Sequence, residues 1–146
     1  MFEKLFMLVK NNAGTAVVNN PIIPAKYHDA VINEASSSII EVLKRQMENG
    51  KLKDMIKYFQ YPDIYNNNPL ISRIVSKFAT KLNDYYDIDA DEAQLIAKQL
   101  IAPVMQKIMT QSGDQHNDFT LSKLLSMLSD NSSYEMNSWL SQLAVA

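Results

Sequence analysis

The chain has 146 residues, 47% of them hydrophobic, and its 14 basic and 16 acidic side chains leave a net charge of −2. That length predicts a single domain, residues 1–146, able to bury roughly 70% of its unfolded surface without a metal or disulfide staple. The absence of cysteine excludes a disulfide framework, a thiolate zinc site and a cysteine nucleophile, and the near-neutral charge argues against general nucleic-acid binding.

At the N-terminus, Phe2, Leu5, Phe6 and Val9 are spaced for a short amphipathic helix that Gly14 closes. The charges at Glu3, Lys4 and Lys10 leave an apolar run too short for a secretory leader. No stretch approaches the ~18 apolar residues of a membrane span, so no transmembrane segment is expected. The expectation is a soluble, cytoplasmic protein. The next run, TAVVNNPIIP, is the one strand-like stretch, but Pro21 and Pro24 interrupt it and it has no partner. A helical turn followed by an extended, buried linker fits better.

From about Pro24 to Asn49 the spacing predicts a long helix with Val31, Ala35, Ile39, Val42 and Leu43 inward, ended by Gly50. Its small residues Ala35, Ser36, Ser37 and Ser38 would admit a neighbouring helix at close range. Leu52, Met55, Ile56 and Phe59 make a short helix with Lys51, Lys53 and Lys57 on its wet side. After the turn-rich YPDIYNNN, Asn68 caps a helix with Pro69 at its first position, where a missing amide is harmless. Ile71, Ile74, Val75, Phe78, Leu82, Tyr85 and Tyr86 form its inner face, opposite Arg73, Lys77, Lys81 and Asp84.

A tight Asp-Ile-Asp turn then leads to residues 89–112, where Asp89 and Glu92 have the spacing of a capping box. Ala93, Ile96, Ala97, Leu100, Ile101, Val104 and Ile108 fall on one helix face. Leu95, Ala102, Met105 and Met109 widen it, and a helix apolar over most of its circumference has to be covered from several sides. Pro103 should kink it. Beyond Gly113, Leu121, Leu124, Leu125 and Leu128, then Met136, Trp139, Leu140 and Leu143, mark two further helices, the second opened by Ser132 and Glu135. The fold class is therefore all-α: a multihelical bundle of about seven helices around the buried, Pro-kinked helix 89–112.

The segment Ala35–Gly50 also echoes Ala97–Gly113, pairing Ile39 with Ile101, Val42 with Val104 and Met47 with Met109. Two helix–loop–short-helix repeats would explain this, and chance similarity of a common unit is the rival explanation.

Chemical signatures are lacking. The three glycines, Gly14, Gly50 and Gly113, each follow a helix-like segment at the place of a left-handed cap, and none remains for a phosphate-cradling loop. A calcium loop starting at Asp87 would want glycine and glutamate where Glu92 and Lys98 stand, so these acids read as favourable charges at a helix N-terminus. Asp114, His116 and Asp118 are better explained as a solvated loop than as metal ligands. Ser36–Ser38, near Glu34 and His28, lack the strand-to-helix elbow of a nucleophilic serine. No catalytic residue, metal or cofactor is expected.

Lys44, Arg45, Lys51, Lys53 and Lys57, followed by Tyr58, Phe59, Tyr61 and Tyr65, form the one basic and aromatic region. Such a mixture can hold single-stranded nucleic acid or touch an anionic membrane, while a solvated helix face is its ordinary explanation. Lys51, Lys53, Lys57, Tyr58, Tyr61 and Tyr65 are the candidate binding surface.

Leu5…Leu8-Val9-Lys10…Ala13-Gly14, Val17-Val18-Asn19-Asn20-Pro21, Ile23-Pro24, Asp29-Ala30 and Ser38-Ile39 resemble the opening of the YidB-like group of small bacterial proteins of unknown function. Leu52-Lys53 through Phe59, Asn68-Pro69 and Ile96-Ala97…Leu100-Ile101…Pro103-Val104 are similar to its later pattern, so the resemblance runs to about Met109. The chain departs from that pattern in being poor in glycine between Gly50 and Pro69 and in the tail. The resemblance implies an all-helical bundle and supplies no catalytic residue. The expected function is a non-enzymatic module that binds a protein partner or forms a homo-oligomer. The alternative is a carrier of a small apolar or lipid-like ligand between helices lined by Met105, Met109, Met127 and Met136.

Overall fold

The first helix, α1 (Phe2–Asn11), ends where the sequence turns to asparagine. Asn12 and Ala13 donate their amides to the carbonyls of Val9 and Lys10 at 3.0 and 3.2 Å, and the Asn12 side chain donates to the Leu8 carbonyl at 2.7 Å. Leu5 and Val9 are fully buried, with Phe6 and Leu8 packed beside them. The computed structural model describes residues 2–51, 53, 54, 57 and 69–111, and among them every regular element is helical.

A π turn, Gly14–Val18, follows α1, with the amides of Val18 and Asn19 reaching five residues back to Ala13 and Gly14 at 3.0 and 2.8 Å. Gly14 does not take the left-handed cap conformation its position predicts. Asn12 has already satisfied a last-turn carbonyl of α1, and the wide turn absorbs the next ones. The turn buries Ala16 and Val17.

Asn20 then locks the chain. Its side-chain amide donates to the Ala16 carbonyl at 3.1 Å, its side-chain oxygen accepts the Ile22 amide at 3.0 Å, and its carbonyl accepts the Ile23 amide at 3.1 Å. Ile23 enters the core while Val18 and Ile22 stay about half exposed. A single 3-10 turn, Ala25–Tyr27, carries the chain over, so the long helix starts at His28 rather than at Pro24.

That helix, α2 (His28–Glu48), buries Val31, Ile32, Ala35, Ser36, Ser38, Ile39, Val42, Leu43, Gln46 and Met47. Buried serine hydroxyls need partners, and these donate one turn back: Ser36 to the Ile32 carbonyl at 2.9 Å and Ser38 to that of Glu34 at 2.7 Å. The C-terminus is a Schellman cap. The Lys51 amide reaches the Gln46 carbonyl at 2.9 Å, the Gly50 amide reaches that of Met47 at 3.2 Å, and Gly50 sits at φ +72°.

Helix α3 (Pro69–Tyr86) buries Leu70, Ile71, Ile74, Val75, Phe78, Ala79 and Leu82. Two expectations fail on it. Tyr85 points out, 67% exposed, because the apolar stripe turns away from it over the last turn. Lys81, expected on the wet face, keeps only 13% of its side chain exposed, because α2 presents carboxylates to it.

Asp87, at φ +51°, turns the chain, and the Asn83 side chain clamps the turn by donating to the Ile88 carbonyl at 2.8 Å. Asp89 accepts the Asp91 amide at 3.2 Å, opening α4 (Ala90–Gln111), which contains Pro103. Ala93, Ile96, Ala97, Leu100, Ile101, Val104, Met105, Ile108 and Met109 are buried. Leu95 is 51% exposed, Ala102 is half-buried and Pro103 is exposed, so the covered arc is narrower than the apolar count predicts. Such a helix keeps one wet side, marked by Gln94, Lys98 and Gln99.

The short turn makes α3 and α4 neighbours packed along their lengths, and α4 also meets α1, α2 and the π turn. A hydrogen bond from Lys107 Nζ to Asn12 Oδ1, 2.7 Å, ties α4 to the end of α1. Helix α2 packs against both α1 and α3.

Candidate groove between α2 and α3

Helices α2 and α3 run antiparallel, as their ion pairs show. Lys81 Nζ lies 3.6 Å from Glu34 Oε2 and 3.2 Å from Glu41 Oε2, and it donates to Glu41 Oε1 at 3.2 Å. Lys77 Nζ lies 3.3 Å from Glu41 Oε2. Glu41 therefore serves two lysines one turn apart, and moving along α2 means moving backwards along α3.

Where the two polar faces meet, they enclose a groove of about 620 Å³. Its walls carry Arg45 and Gln46 from α2, Ser72, Arg73, Ser76 and Thr80 from α3, and Asp84 with Tyr85 at one end. Each residue is there for a local reason. Arg45 and Asn49 follow Glu41 by one and two turns of α2; Arg73, Lys77 and Lys81 recur every fourth residue along α3. The Thr80 hydroxyl is committed to the Ser76 carbonyl at 2.9 Å.

The charges in the groove are unevenly matched. Lys77 and Lys81 are neutralised by Glu34 and Glu41. Arg45 and Arg73 have no ion-pair partner among the described residues. The register that sets Lys77 against Glu41 puts Arg73, one turn earlier on α3, across from Arg45, one turn later on α2. Two guanidinium groups therefore share one end, with Asp84 at the other.

Beyond that acidic end, Tyr86 packs edge-on against Tyr27 with ring centroids 5.6 Å apart. Burial, reinforced by the negative charge of Glu34 and then by Tyr27, holds the Tyr86 phenol above its ordinary value.

Of the expected binding surface, Lys51, Lys53 and Lys57 are exposed. Lys51 directly follows the α2 cap and so stands near Asn49 in the groove wall. Tyr58, Tyr61 and Tyr65 lie outside the described residues, as do Phe59, Asn68, the Asp114–Asp118 loop and the two C-terminal helices expected from the sequence. Arg45 belonged to the basic region seen in the sequence; Arg73, Lys77 and Lys81 did not. Their signal was the four-residue spacing, and it gained meaning only against the glutamates of α2.

Other candidates are spent on structure. The hydroxyls of Ser36 and Ser38 hold backbone carbonyls, and His28 Nε2 sits 3.1 Å from the Ile23 carbonyl as its donor. Among the described residues no three histidine or acidic side chains converge as a metal site requires, and no helix is long and apolar enough to cross a membrane. No family model, no curated protein and no solved structure matches the chain.

Proposed function

We propose that this chain is a non-enzymatic helical domain that binds a protein partner or a second copy of itself, through the groove between α2 and α3. The observation that carries the reading is the groove itself: an open cleft of about 620 Å³, inside the ~300–1,000 Å³ of ligand sites, lined by charged side chains. Recognition is supported over chemistry because the groove gathers arginine, lysine and serine side chains, while among the described residues no three histidine or acidic groups converge. The carrier alternative is supported less, since of its methionines Met105 and Met109 are buried in the core and do not line the groove, while Met127 and Met136 lie outside the described residues.

On the same reading, the whole chain is one bundle of about seven helices built on residues 89–112 and bent at Pro103, a cytoplasmic relative of the YidB-like proteins. The run Asn19-Asn20-Pro21-Ile22-Ile23-Pro24 supports that kinship.

The test is light scattering and native mass spectrometry of the full chain, beside a Ser76→Trp variant that fills the groove. The wild type should retain a protein partner or run as a dimer, and Ser76→Trp should lose that mass while melting at the same temperature. A wild-type monomer that retains nothing, or a variant that retains everything, overturns the reading.

A further inference from the structure

We propose that the Arg45–Arg73 end of the groove is a docking point for the carboxylate side chains of an acidic peptide segment on a protein partner. This rests on the groove being a binding surface and names the chemistry it selects.

Two like charges set across a cleft repel, and helix packing normally supplies a carboxylate between them. The same helix pair does this at Lys77 and Lys81, which are held against Glu41 in the groove wall and, for Lys81, also against Glu34 beyond it. At Arg45 and Arg73 no such carboxylate is provided among the described residues. The groove therefore keeps an unbalanced pair of guanidinium groups at one end. Arginine is the side chain whose planar fork matches a carboxylate through two parallel hydrogen bonds. Ser72 and Ser76 stand in the same wall and add hydroxyl donors.

Charge also limits the length of the ligand. Asp84 occupies the opposite end of the groove and repels anions there, so a short acidic segment fits where a long polyanion does not. That feature and the net charge of −2 favour protein carboxylates over a nucleic-acid backbone, which is held by extended basic surfaces.

The experiment is fluorescence anisotropy of the full chain with a labelled peptide of alternating glutamate and alanine, beside its glutamine counterpart. The acidic peptide should bind about tenfold tighter or better, and the preference should shrink as salt is raised. Arg45→Glu and Arg73→Glu should each remove about tenfold in affinity without lowering the melting temperature, both positions being exposed. Lys98→Glu, on the exposed face of α4, should leave binding unchanged.

Equal affinity for the two peptides overturns the proposal, as does an equal loss with Lys98→Glu. Stronger binding of inorganic phosphate or of a short single-stranded oligonucleotide also overturns it, as does a dimer that hides both arginines. If Ser76→Trp abolishes partner binding while Arg73→Glu does not, the groove remains an interface and only its acidic preference falls. If neither variant matters, the binding role falls with it.

Discussion

Asn20 shows how one side chain fixes a backbone path. It donates to the carbonyl of Ala16 and accepts the amide of Ile22, holding the π turn and the proline-bounded linker in one piece and steering Ile23 inward. Asn20→Ala leaves both backbone groups without that partner and should cost about 1–3 kcal/mol, read from denaturant melts. Asn20→Asp keeps the acceptor for Ile22 and loses the donor to Ala16, so it should fall between the two; a melt equal to wild type for both variants would remove Asn20 from this role. The sequence marks the Asn-Asn-Pro run as distinctive but not which asparagine clamps. That depends on the five-residue reach of the turn before it, which no local periodicity encodes.

Helix ends separate what spacing can and cannot foretell. Gly14 and Gly50 look alike in sequence, each placed after an amphipathic run, yet of the two only Gly50 has positive φ. Gly50→Ala should cost about 1–2 kcal/mol, the penalty of a left-handed L-residue, even though open space surrounds its missing Cβ. Gly14→Ala should be stabilising by about 0.4–1 kcal/mol, since its φ is ordinary and a Cβ there would lie 4.0 Å from its nearest neighbour. Thermal melts of the two variants moving in the same direction would refute the distinction. Helix interiors were more legible. The inward faces of α2 and α3 follow the 3.6-residue period almost throughout, because burial and period report the same geometry. Tyr85 and Leu95 escaped that logic. Period gives a side chain's direction, while the width of the neighbour that covers it is set by other elements. Lys81 leaves the expected wet face for the same reason, its partners Glu34 and Glu41 lying on another helix.

The groove belongs to the molecule rather than to any helix, so little in the sequence announces it: Arg45 and Arg73 are far apart in the chain and come to line one groove only through the antiparallel register. Tyr86 is another product of assembly, joining the end of α3 to Tyr27 of the 3-10 turn and to Glu34 of α2. Burial first, then Glu34 and Tyr27, raises its phenol above the ordinary value of about 10. An acid whose folded pKa is raised binds its proton more tightly when folded than when unfolded. Its contribution to stability is thus complete below the unfolded value near 10 and is lost as pH climbs through the higher folded value. Tyr86→Phe keeps the ring contact with Tyr27 and removes the ionisation. The variant should melt close to wild type at neutral pH and lose less stability than wild type as pH is raised above about 10. Thermal melts across that alkaline range decide the matter: parallel decline of the two proteins would show that Tyr86 ionises as freely in the folded chain as in the unfolded one, and that these three elements do not enclose it.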